Sequence, residues 1–286
     1  MSRSGDVPRV GVAGWPVAHS RSPILHGYWL RQLGVVGRYE RFAVPPGEFE
    51  QFVARIGGDL IGSNVTVPHK EAAFAACDRR TQAAEALGAV NTLWRDGPLL
   101  WGDNTDVEGF LVNMDEGAPG WAERSRSAVI IGAGGAARAV VHALVSRGVG
   151  RIAIVNRTPA RAAALAERFG RTVTASSWDK LSSELSQADL LVNASSLGMQ
   201  GQAPLDIDLG ILPTRAVVSD IVYVPLRTPL VEAARSRGLP AVEGLGMLLH
   251  QAVPGFERWF GRRPEVTAEL RALVEADVRD GRQGKQ

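Results

Sequence analysis

Short apolar runs of strand length alternate with amphipathic helical patterns along almost the whole chain. This alternation is typical of an α/β protein with mainly parallel strands. In the N-terminal part, the pattern predicts strands over residues 10–13, 39–44, 60–67, 90–94 and 99–102. The helices predicted between them cover residues 23–33, 47–56, 70–77 and 81–87. Ser22 as N-cap and Pro23 at the first helical position mark the start of the first helix.

The alternation restarts near residue 126 with the strand in SAVIIGAGG, which predicts a second unit. Further strands are expected over residues 152–155, 190–193, 217–221 and 241–243, and helices over residues 136–146, 159–169 and 229–237. From Met247 onward the pattern is helical, with breaks near Pro254 and Pro264. Because 286 residues exceed the usual size of one domain, we predict two, formed by residues 1–106 with 247–286 and by residues 107–246.

A glycine-rich loop joins the first strand and helix of the second unit. The stretch GAGGAA, residues 132–137, fits the Gly-x-Gly-x-x-Gly/Ala pattern of dinucleotide-binding loops in the required strand–helix context. Gly132 permits the tight turn, Gly134 lets the backbone approach a pyrophosphate, and the helix N-terminus offers N–H donors to it. We predict a Rossmann-like dinucleotide-binding domain; a turn that merely needs glycines is the alternative.

The residues after the next strand indicate which dinucleotide binds. Sites that prefer NAD usually have Asp or Glu there, whereas this chain reads NRTPAR over residues 156–161. Arg157 and Arg161 can hold a 2′-phosphate through charge-assisted contacts, which a carboxylate would repel. The sequence therefore predicts NADP, unless both arginines are only solvated residues at the start of a helix.

Lysine is rare in this chain: of 32 basic residues, only Lys70, Lys180 and Lys285 are lysines. Lys70 follows an apolar strand pattern in SNVTVPHK, where Pro68 ends the strand. A lysine ammonium can transfer a proton near neutral pH, whereas an arginine guanidinium cannot readily do so. Lys70 is therefore a candidate proton donor, although a surface cation on the following helix is the simpler alternative.

Composition limits the other classes of function. The formal net charge is +2, and the basic residues form no long block or aromatic-interleaved stripe, so nucleic-acid binding is not expected. No apolar segment has the length of a signal peptide or membrane span, which makes a cytoplasmic location the expectation. Cys77, the only cysteine, excludes a disulfide and a cysteine-cluster metal site, and we predict a buried thiol. Monomer and homodimer both remain open.

Polar residues occur at three strand ends of the N-terminal unit, where ligands bind in open α/β sheets. Ser20 and Ser22 follow the first strand, Asn91 is expected within a strand, and Asp106 comes just before the helix expected at residue 107. For Ser22 and Asp106, a helix-capping role is an equal alternative.

Seven stretches together resemble the shikimate dehydrogenase family. They are, in order, AGWPVAHSRSP, NVTVPHK, GAVNT, GDNTD, GAGGAAR, NRT and GLGMLLHQ, and the resemblance extends from about residue 10 to about residue 265. It implies a two-domain α/β fold in which the C-terminal helices return to an N-terminal substrate domain. It also implies NADPH-dependent reduction of 3-dehydroshikimate to shikimate in a cleft between the domains.

The resemblance assigns roles to individual residues. Lys70 and Asp106 match the catalytic pair. Substrate-binding positions are matched by Ser20, Ser22, Asn64, Thr66, Asn91, Tyr223 and Gln251. Cofactor-binding positions are matched by Gly132, Ala133, Gly134, Gly135, Ala136, Ala137, Asn156, Arg157, Thr158, Arg161, Ile221 and Gly244. Ile221 and His69 stand where some members have Met and Phe, which leaves the local packing open.

Two other functions are considered. A sister enzyme that oxidises quinate as well as shikimate, or an aminated analogue, with NAD as one option for the cofactor, is disfavoured by the serine pair and by the NRT stretch with Arg161. A regulatory protein without turnover is disfavoured because both Lys70 and Asp106 are present. No metal site is expected.

Overall fold

The computed structural model describes residues 7–283, which divide into two compact units. The first unit contains the residues up to Asp106 together with Gln251–Arg279, and Val107–His250 form most of the second. Each unit is built around its own six-stranded sheet. The chain therefore leaves the first unit after Asp106 and returns to it at Gln251.

The elements are numbered in chain order. The strands are β1 (Arg9–Gly14), β2 (Arg38–Ala43), β3 (Gly62–Val65), β4 (Arg79–Arg80), β5 (Thr92–Asp96), β6 (Leu99–Asp103), β7 (Ser127–Ile131), β8 (Arg151–Val155), β9 (Val173–Ser176), β10 (Leu190–Asn193), β11 (Val217–Asp220) and β12 (Ala241–Val242). The α-helices are α1 (Ser22–Gln32), α2 (Phe49–Ala54), α3 (Lys70–Ala76), α4 (Gln82–Leu87), α5 (Asp106–Gly117), α6 (Trp121–Arg124), α7 (Gly135–Ser146), α8 (Pro159–Phe169), α9 (Leu181–Leu185), α10 (Pro229–Ser236), α11 (Leu245–His250), α12 (Val253–Phe260) and α13 (Ala268–Gln283).

The sheet of the first unit is mixed, with the strand order β2-β1-β3-β5-β6-β4. β1 runs parallel to both β2 and β3, whereas β5 runs antiparallel to β3 and β6. In this register Asn64 of β3 lies opposite Thr92 of β5. Two polar residues from distant parts of the chain thus become neighbours in the middle of the sheet.

The C-terminal helices complete the core of the first unit. Trp29 of α1 is fully buried, packs edge to face against Phe256 of α12, and donates from Nε1 to the backbone oxygen of Glu265 at 2.9 Å. Trp259 donates to the backbone oxygen of Leu93 at 3.0 Å and lies against Gly62, where a Cβ would be only 2.0 Å from its Nε1. The final helices are therefore part of the first unit's fold.

The sheet of the second unit is entirely parallel, with the order β12-β11-β10-β7-β8-β9. This is the doubly wound order of dinucleotide-binding domains, which confirms the α/β fold class. The central strands are buried on both faces and mostly apolar, as in the run Ala128–Ile131. No described helix is long and apolar enough to cross a membrane.

The predicted set of elements was incomplete in both sheets. β4 and β9 are edge strands of two and four residues, too short to give a clear apolar pattern. The strand predicted over residues 60–67 is limited to β3, which ends before Pro68, a residue with no N–H for the ladder. The break expected near Pro254 lies earlier, at residues 251–252, because proline is tolerated in the first turn of α12.

Cys77 is buried, as predicted from its apolar surroundings. Its Sγ lies 3.1 Å from the backbone oxygen of Ala73, one helical turn earlier. Burial raises the pKa of the thiol to about 12, so Cys77 stays protonated at neutral pH.

We expect Trp29→Ala to lower the free energy of unfolding by about 3 to 5 kcal/mol, because it leaves a large cavity between α1 and α12. Chemical denaturation followed by circular dichroism measures this loss. Trp15→Ala is the matched control, since Trp15 is 49% exposed and its removal should cost no more than about 0.5 kcal/mol. Equal losses in the two variants would contradict the assignment of Trp29 to the core.

Candidate active site

Lys70 is the first residue of α3, and its ammonium contacts the carboxylate of Asp106. Nζ lies 2.5 Å from Asp106 Oδ2, although the two residues are 36 positions apart in the chain. The side chains of Lys70 and Asp106 are 23% and 13% exposed, so the pair can be reached from solvent but is largely shielded. Partial burial strengthens the attraction relative to a surface pair.

Asp106 is the first residue of α5, one position earlier than the predicted start of this helix. Its carboxylate accepts two hydrogen bonds from side chains near the sheet. Oδ2 accepts from Lys70 Nζ, and Oδ1 accepts from Asn91 Nδ2 at 2.8 Å. The helix-capping alternative for this residue is therefore wrong. Its own N–H donates to Asn104 Oδ1 at 3.2 Å, which ties the start of the helix to the end of β6.

Asn91 is buried and lies one residue before β5, not within a strand as predicted. Its Oδ1 accepts from Thr92 Oγ1 at 2.9 Å and from the Thr105 N–H at 3.0 Å. These two donors fix which end of the amide is oxygen. The nitrogen end is thereby directed at Asp106.

Asn64 and Tyr39 extend this polar network into the sheet. Tyr39 donates to Asn64 Oδ1 at 2.6 Å, and Asn64 Nδ2 donates to the Asn91 backbone oxygen and to Thr92 Oγ1, both at 3.1 Å. All four residues are buried. A continuous set of hydrogen bonds thus leads from a buried tyrosine to the contact between Asp106 and Lys70.

The serine pair lies after β1 in the same unit. Ser20 Oγ is 3.3 Å from Ser22 Oγ and accepts from the Ser22 N–H at 3.4 Å. Ser22 was expected as an N-cap, but it is the first residue of α1, Arg21 occupies the cap position, and no side chain caps the helix. The hydroxyl of Ser22 is therefore not used for capping.

The remaining predicted substrate-binding residues are Thr66, Gln251 and Tyr223. Thr66 follows β3 directly, and its N–H donates to the Ala13 oxygen at 2.9 Å. Gln251 lies in the turn between α11 and α12 rather than on a helix, and its backbone oxygen accepts from Thr105 Oγ1 at 2.7 Å. Tyr223 belongs to the second unit, in the segment after β11.

The glycine-rich loop of the second unit has the geometry of a phosphate-binding turn. Gly132 has φ +109°, and a Cβ there would be 2.8 Å from the Ala194 backbone oxygen, so only glycine fits without strain. Gly134 is the N-cap of α7, and apart from neighbouring residues of the same segment no atom lies within 4 Å of a Cβ built at Gly134 or Gly135. The open space and the N–H groups at this helix N-terminus suit a phosphate.

A cavity of about 510 Å³ adjoins this loop. Its lining combines loop and helix residues: Ala133, Gly134, Gly135, Arg138, Arg161, Ala164, Leu165 and Arg168. The three arginines give it a positive charge, which fits a ligand with more than one phosphate. Asn156 lies half-buried at the end of β8 and donates to the Thr158 oxygen at 2.9 Å, and Arg157 and Thr158 are exposed.

Ile221 and Gly244 meet at the ends of β11 and β12. A Cβ on Gly244 would be 2.4 Å from the backbone carbonyl of Ile221, so glycine is required for this contact. Two residues that were predicted separately as cofactor-binding are therefore packed together.

Sequence reasoning missed a buried carboxylate beside them. Asp220 ends β11 and accepts from Asn193 Nδ2 at 3.0 Å, from the Val222 N–H at 3.0 Å and from Thr228 Oγ1 at 2.6 Å. Burial raises its pKa to about 6, although the three donors act in the opposite direction. The available signal was a polar residue at the end of an apolar strand, since Asp220 closes the run VVSD of β11. Within the described residues, no group of His, Cys, Asp and Glu side chains could hold a metal ion.

Models of protein families match three parts of the chain. Residues 12–93 match the shikimate dehydrogenase substrate binding domain, residues 121–199 match shikimate / quinate 5-dehydrogenase, and residues 244–273 match the shikimate 5'-dehydrogenase C-terminal domain.

Individual proteins agree with these matches. The shikimate dehydrogenase (NADP(+)) of Methylocella silvestris is 56% identical over 95% of this chain and 97% of its own length. The shikimate dehydrogenase (NADP(+)) of Rhodopseudomonas palustris strain TIE-1 is 57% identical over 93% of this chain and 95% of its own length. Shikimate 5-dehydrogenase from Thermus thermophilus, solved with NADP(H) and shikimate, has a TM-score of 0.82 at 35% identity and covers 96% of this chain and 99% of its own. Quinate dehydrogenase from Corynebacterium glutamicum, solved with NAD, has a TM-score of 0.87 at 32% identity, with coverages of 95% and 99%.

We expect the buried Asp220 to make a pH-dependent contribution to stability. Because its pKa in the folded protein lies above the value in the unfolded chain, this contribution is fully present below about pH 4 and is lost as the pH rises through 6. The raised pKa corresponds to about 3 kcal/mol. Asp220→Asn cannot titrate, so the stability of wild type minus that of the variant should fall over this pH range in denaturation experiments. A difference that does not change with pH would show that Asp220 does not titrate abnormally.

Proposed function

The chain belongs to the shikimate dehydrogenase family, and on this premise we propose that it catalyses the reversible, NADPH-dependent reduction of 3-dehydroshikimate to shikimate in the cytoplasm. This is the oxidoreductase step of the chorismate pathway that supplies the aromatic amino acids. One observation carries the proposal for the chemistry: the Lys70 ammonium and the Asp106 carboxylate meet at 2.5 Å in a shielded but reachable position.

The first unit binds the substrate. The substrate has one carboxylate and several hydroxyl groups, so its site needs neutral donors and acceptors at fixed positions. The hydroxyls of Ser20 and Ser22 bind the carboxylate, since neither is used to cap α1. The polar groups that this unit offers around the ring come from Asn64, Thr66, Asn91 and Gln251. Tyr223, a residue of the second unit, is proposed as a further substrate contact.

Lys70 donates the proton to the substrate oxygen, and Asp106 orients Lys70. When the ketone is reduced, negative charge develops on its oxygen, and an ammonium beside it both stabilises this charge and donates the proton. Asp106 uses one oxygen to hold Lys70 and the other to bind Asn91, so the direction of the ammonium is fixed from the sheet. Of the three ammonium hydrogens of Lys70, one points at Asp106, which leaves two for the substrate.

The second unit binds NADP(H), which supplies or accepts the hydride when bound. The loop from Gly132 to Ala137 and the N-terminus of α7 hold the pyrophosphate. Asn156, Arg157, Thr158 and Arg161 hold the 2′-phosphate, and no carboxylate follows β8 to repel it. Ile221 and Gly244 would contact the nicotinamide part of the bound cofactor.

Quinate oxidation with NAD is the second candidate, because the quinate dehydrogenase of Corynebacterium glutamicum has a TM-score of 0.87 to this chain. The basic residues after β8 favour NADP over NAD. To test both proposals, the purified protein is mixed with shikimate or quinate and with NADP or NAD, and absorbance of the reduced nucleotide is followed. We expect shikimate with NADP to react fastest; faster reaction of quinate with NAD, or no reaction with shikimate, would reject the proposed function.

We expect Lys70→Ala to lower kcat for shikimate oxidation about 10²- to 10⁴-fold, the usual effect of removing a general acid–base group. Lys70→Arg should lose nearly as much, because guanidinium keeps the charge but does not readily exchange a proton. Lys180→Ala, in the exposed segment before α9, is the control and should retain full activity. Near wild-type turnover by Lys70→Arg would show that charge alone is needed.

We expect Arg161→Gln to weaken NADP binding about 10- to 100-fold and to leave NAD binding almost unchanged, since a charge-assisted hydrogen bond contributes about 1.5 to 3 kcal/mol. Calorimetric titration with each nucleotide measures both affinities. Arg171→Gln removes another exposed arginine of the same unit and should alter neither. Equal weakening for NADP and NAD would mean that Arg161 does not bind the 2′-phosphate.

A further inference from the structure

Tyr39 is a buried residue of β2 whose hydroxyl reaches two predicted substrate-binding side chains. It is 9% exposed, and its hydroxyl donates to Asn64 Oδ1 at 2.6 Å. Burial raises the pKa of the phenol well above its ordinary value, and the nearby Ser22 hydroxyl lowers it by a smaller amount. The phenol is therefore protonated throughout the working pH range and remains a donor.

Packing fixes the orientation of the Tyr39 ring. His26 of α1 stacks on it with ring centroids 3.9 Å apart and an angle of 3° between the planes. His26 is itself fully buried, and burial lowers its pKa to about 3, so the stacked imidazole is neutral. Trp259 of α12 lies against the same ring at a centroid distance of 6.3 Å. The hydroxyl cannot turn away from Asn64 without disturbing this aromatic cluster.

The hydrogen bonds of the Asn64 side chain leave it able to accept a hydrogen bond from a ligand but not to donate one. Both hydrogens of Nδ2 are used, one on the Asn91 backbone oxygen and one on Thr92 Oγ1. Oδ1 accepts from Tyr39 and retains a second lone pair. If the amide were reversed, its oxygen would face the Asn91 oxygen without a hydrogen between them. The Tyr39 hydroxyl and the Asn91 oxygen therefore favour the same one of the two orientations of the Asn64 amide.

The same orientation continues toward the carboxylate. Thr92 Oγ1 accepts from Asn64 and donates to Asn91 Oδ1 at 2.9 Å. Asn91 Nδ2 then donates to Asp106 at 2.8 Å. The directions of these hydrogen bonds agree with one another from the Tyr39 hydroxyl to the Asp106 carboxylate, and the Thr105 N–H supports the orientation of Asn91 as well.

We propose that Tyr39 is a positioning residue for the substrate: it holds the Asn64 side chain with its oxygen toward the ligand, so that a substrate hydroxyl must donate to Asn64 Oδ1. The proposal rests on the proposed function, because it concerns how the polyhydroxylated substrate is bound. It also assigns a role to the neutral His26, which keeps the Tyr39 ring in place.

Tyr39→Phe tests the proposal, because it removes only the hydroxyl. We expect KM for shikimate to rise about tenfold or more, while the Kd for NADP from calorimetry stays within about twofold of wild type. Tyr28→Phe is the matched control: its hydroxyl lies 3.0 Å from Thr267 Oγ1 in the same unit, and its loss should leave KM and Kd unchanged. An unchanged KM in folded Tyr39→Phe would overturn the proposal.

A double-mutant cycle with Asn64→Ala identifies the route of the effect. If Tyr39 acts through Asn64, adding Tyr39→Phe to Asn64→Ala should raise KM by less than about twofold. The full tenfold increase in that background would show that Tyr39 acts elsewhere.

An NMR measurement on the wild-type protein decides the case if Tyr39→Phe does not fold, and it does not depend on activity. The two side-chain amide hydrogens of Asn64 should exchange slowly with solvent, since both are bonded inside the sheet. Rapid exchange would overturn the proposed orientation. If shikimate is not a substrate but exchange is slow, the proposed function fails while the role of Tyr39 in orienting Asn64 stands.

Discussion

Asp106 has two carboxylate oxygens, and each is assigned to a different partner. One receives the Lys70 ammonium at the start of α3, and the other receives the Asn91 amide beside β5. A partly buried carboxylate lowers the stability of the fold unless both of its oxygens have hydrogen-bond or ionic partners. The mixed order of the first sheet meets this requirement, because it brings β3, β5 and β6 together and so surrounds the carboxylate with polar ends of strands.

The second unit uses the same principle with different residues. Asn193 and Asp220 end adjacent parallel strands and bond to each other, and Asp220 also holds Thr228 at the start of α10. In both sheets, apolar strands form the core and buried polar residues order the segments that follow them. In each unit, these segments carry predicted ligand-binding residues.

Part of the fold and of the predicted sites could be predicted from local sequence alone. The rarity of lysine made Lys70 a candidate but left a surface cation as the alternative, whereas Gly132 at a tight turn and the apolar runs of β7 and β8 could each be interpreted alone. The orientation of the Asn64 amide and the place of Tyr39 could not, since both depend on the pairing of strands that are distant in the sequence. The predicted starts of α1 and α5 were each wrong by one position, because the side chains of Ser22 and Asp106, which could cap a helix, make other contacts. The break at residues 251–252 was placed too late, because proline is tolerated in the first turn of α12.

The state of Cys77 has a practical consequence for work on this protein. Its sulfur is buried and stays protonated at neutral pH, so it is a poor target for oxidants and alkylating reagents. The folded protein therefore offers an unreactive background in which a cysteine introduced at any chosen surface position would be labelled selectively. Fluorescent or spin probes could then be attached to either unit without first removing the native thiol.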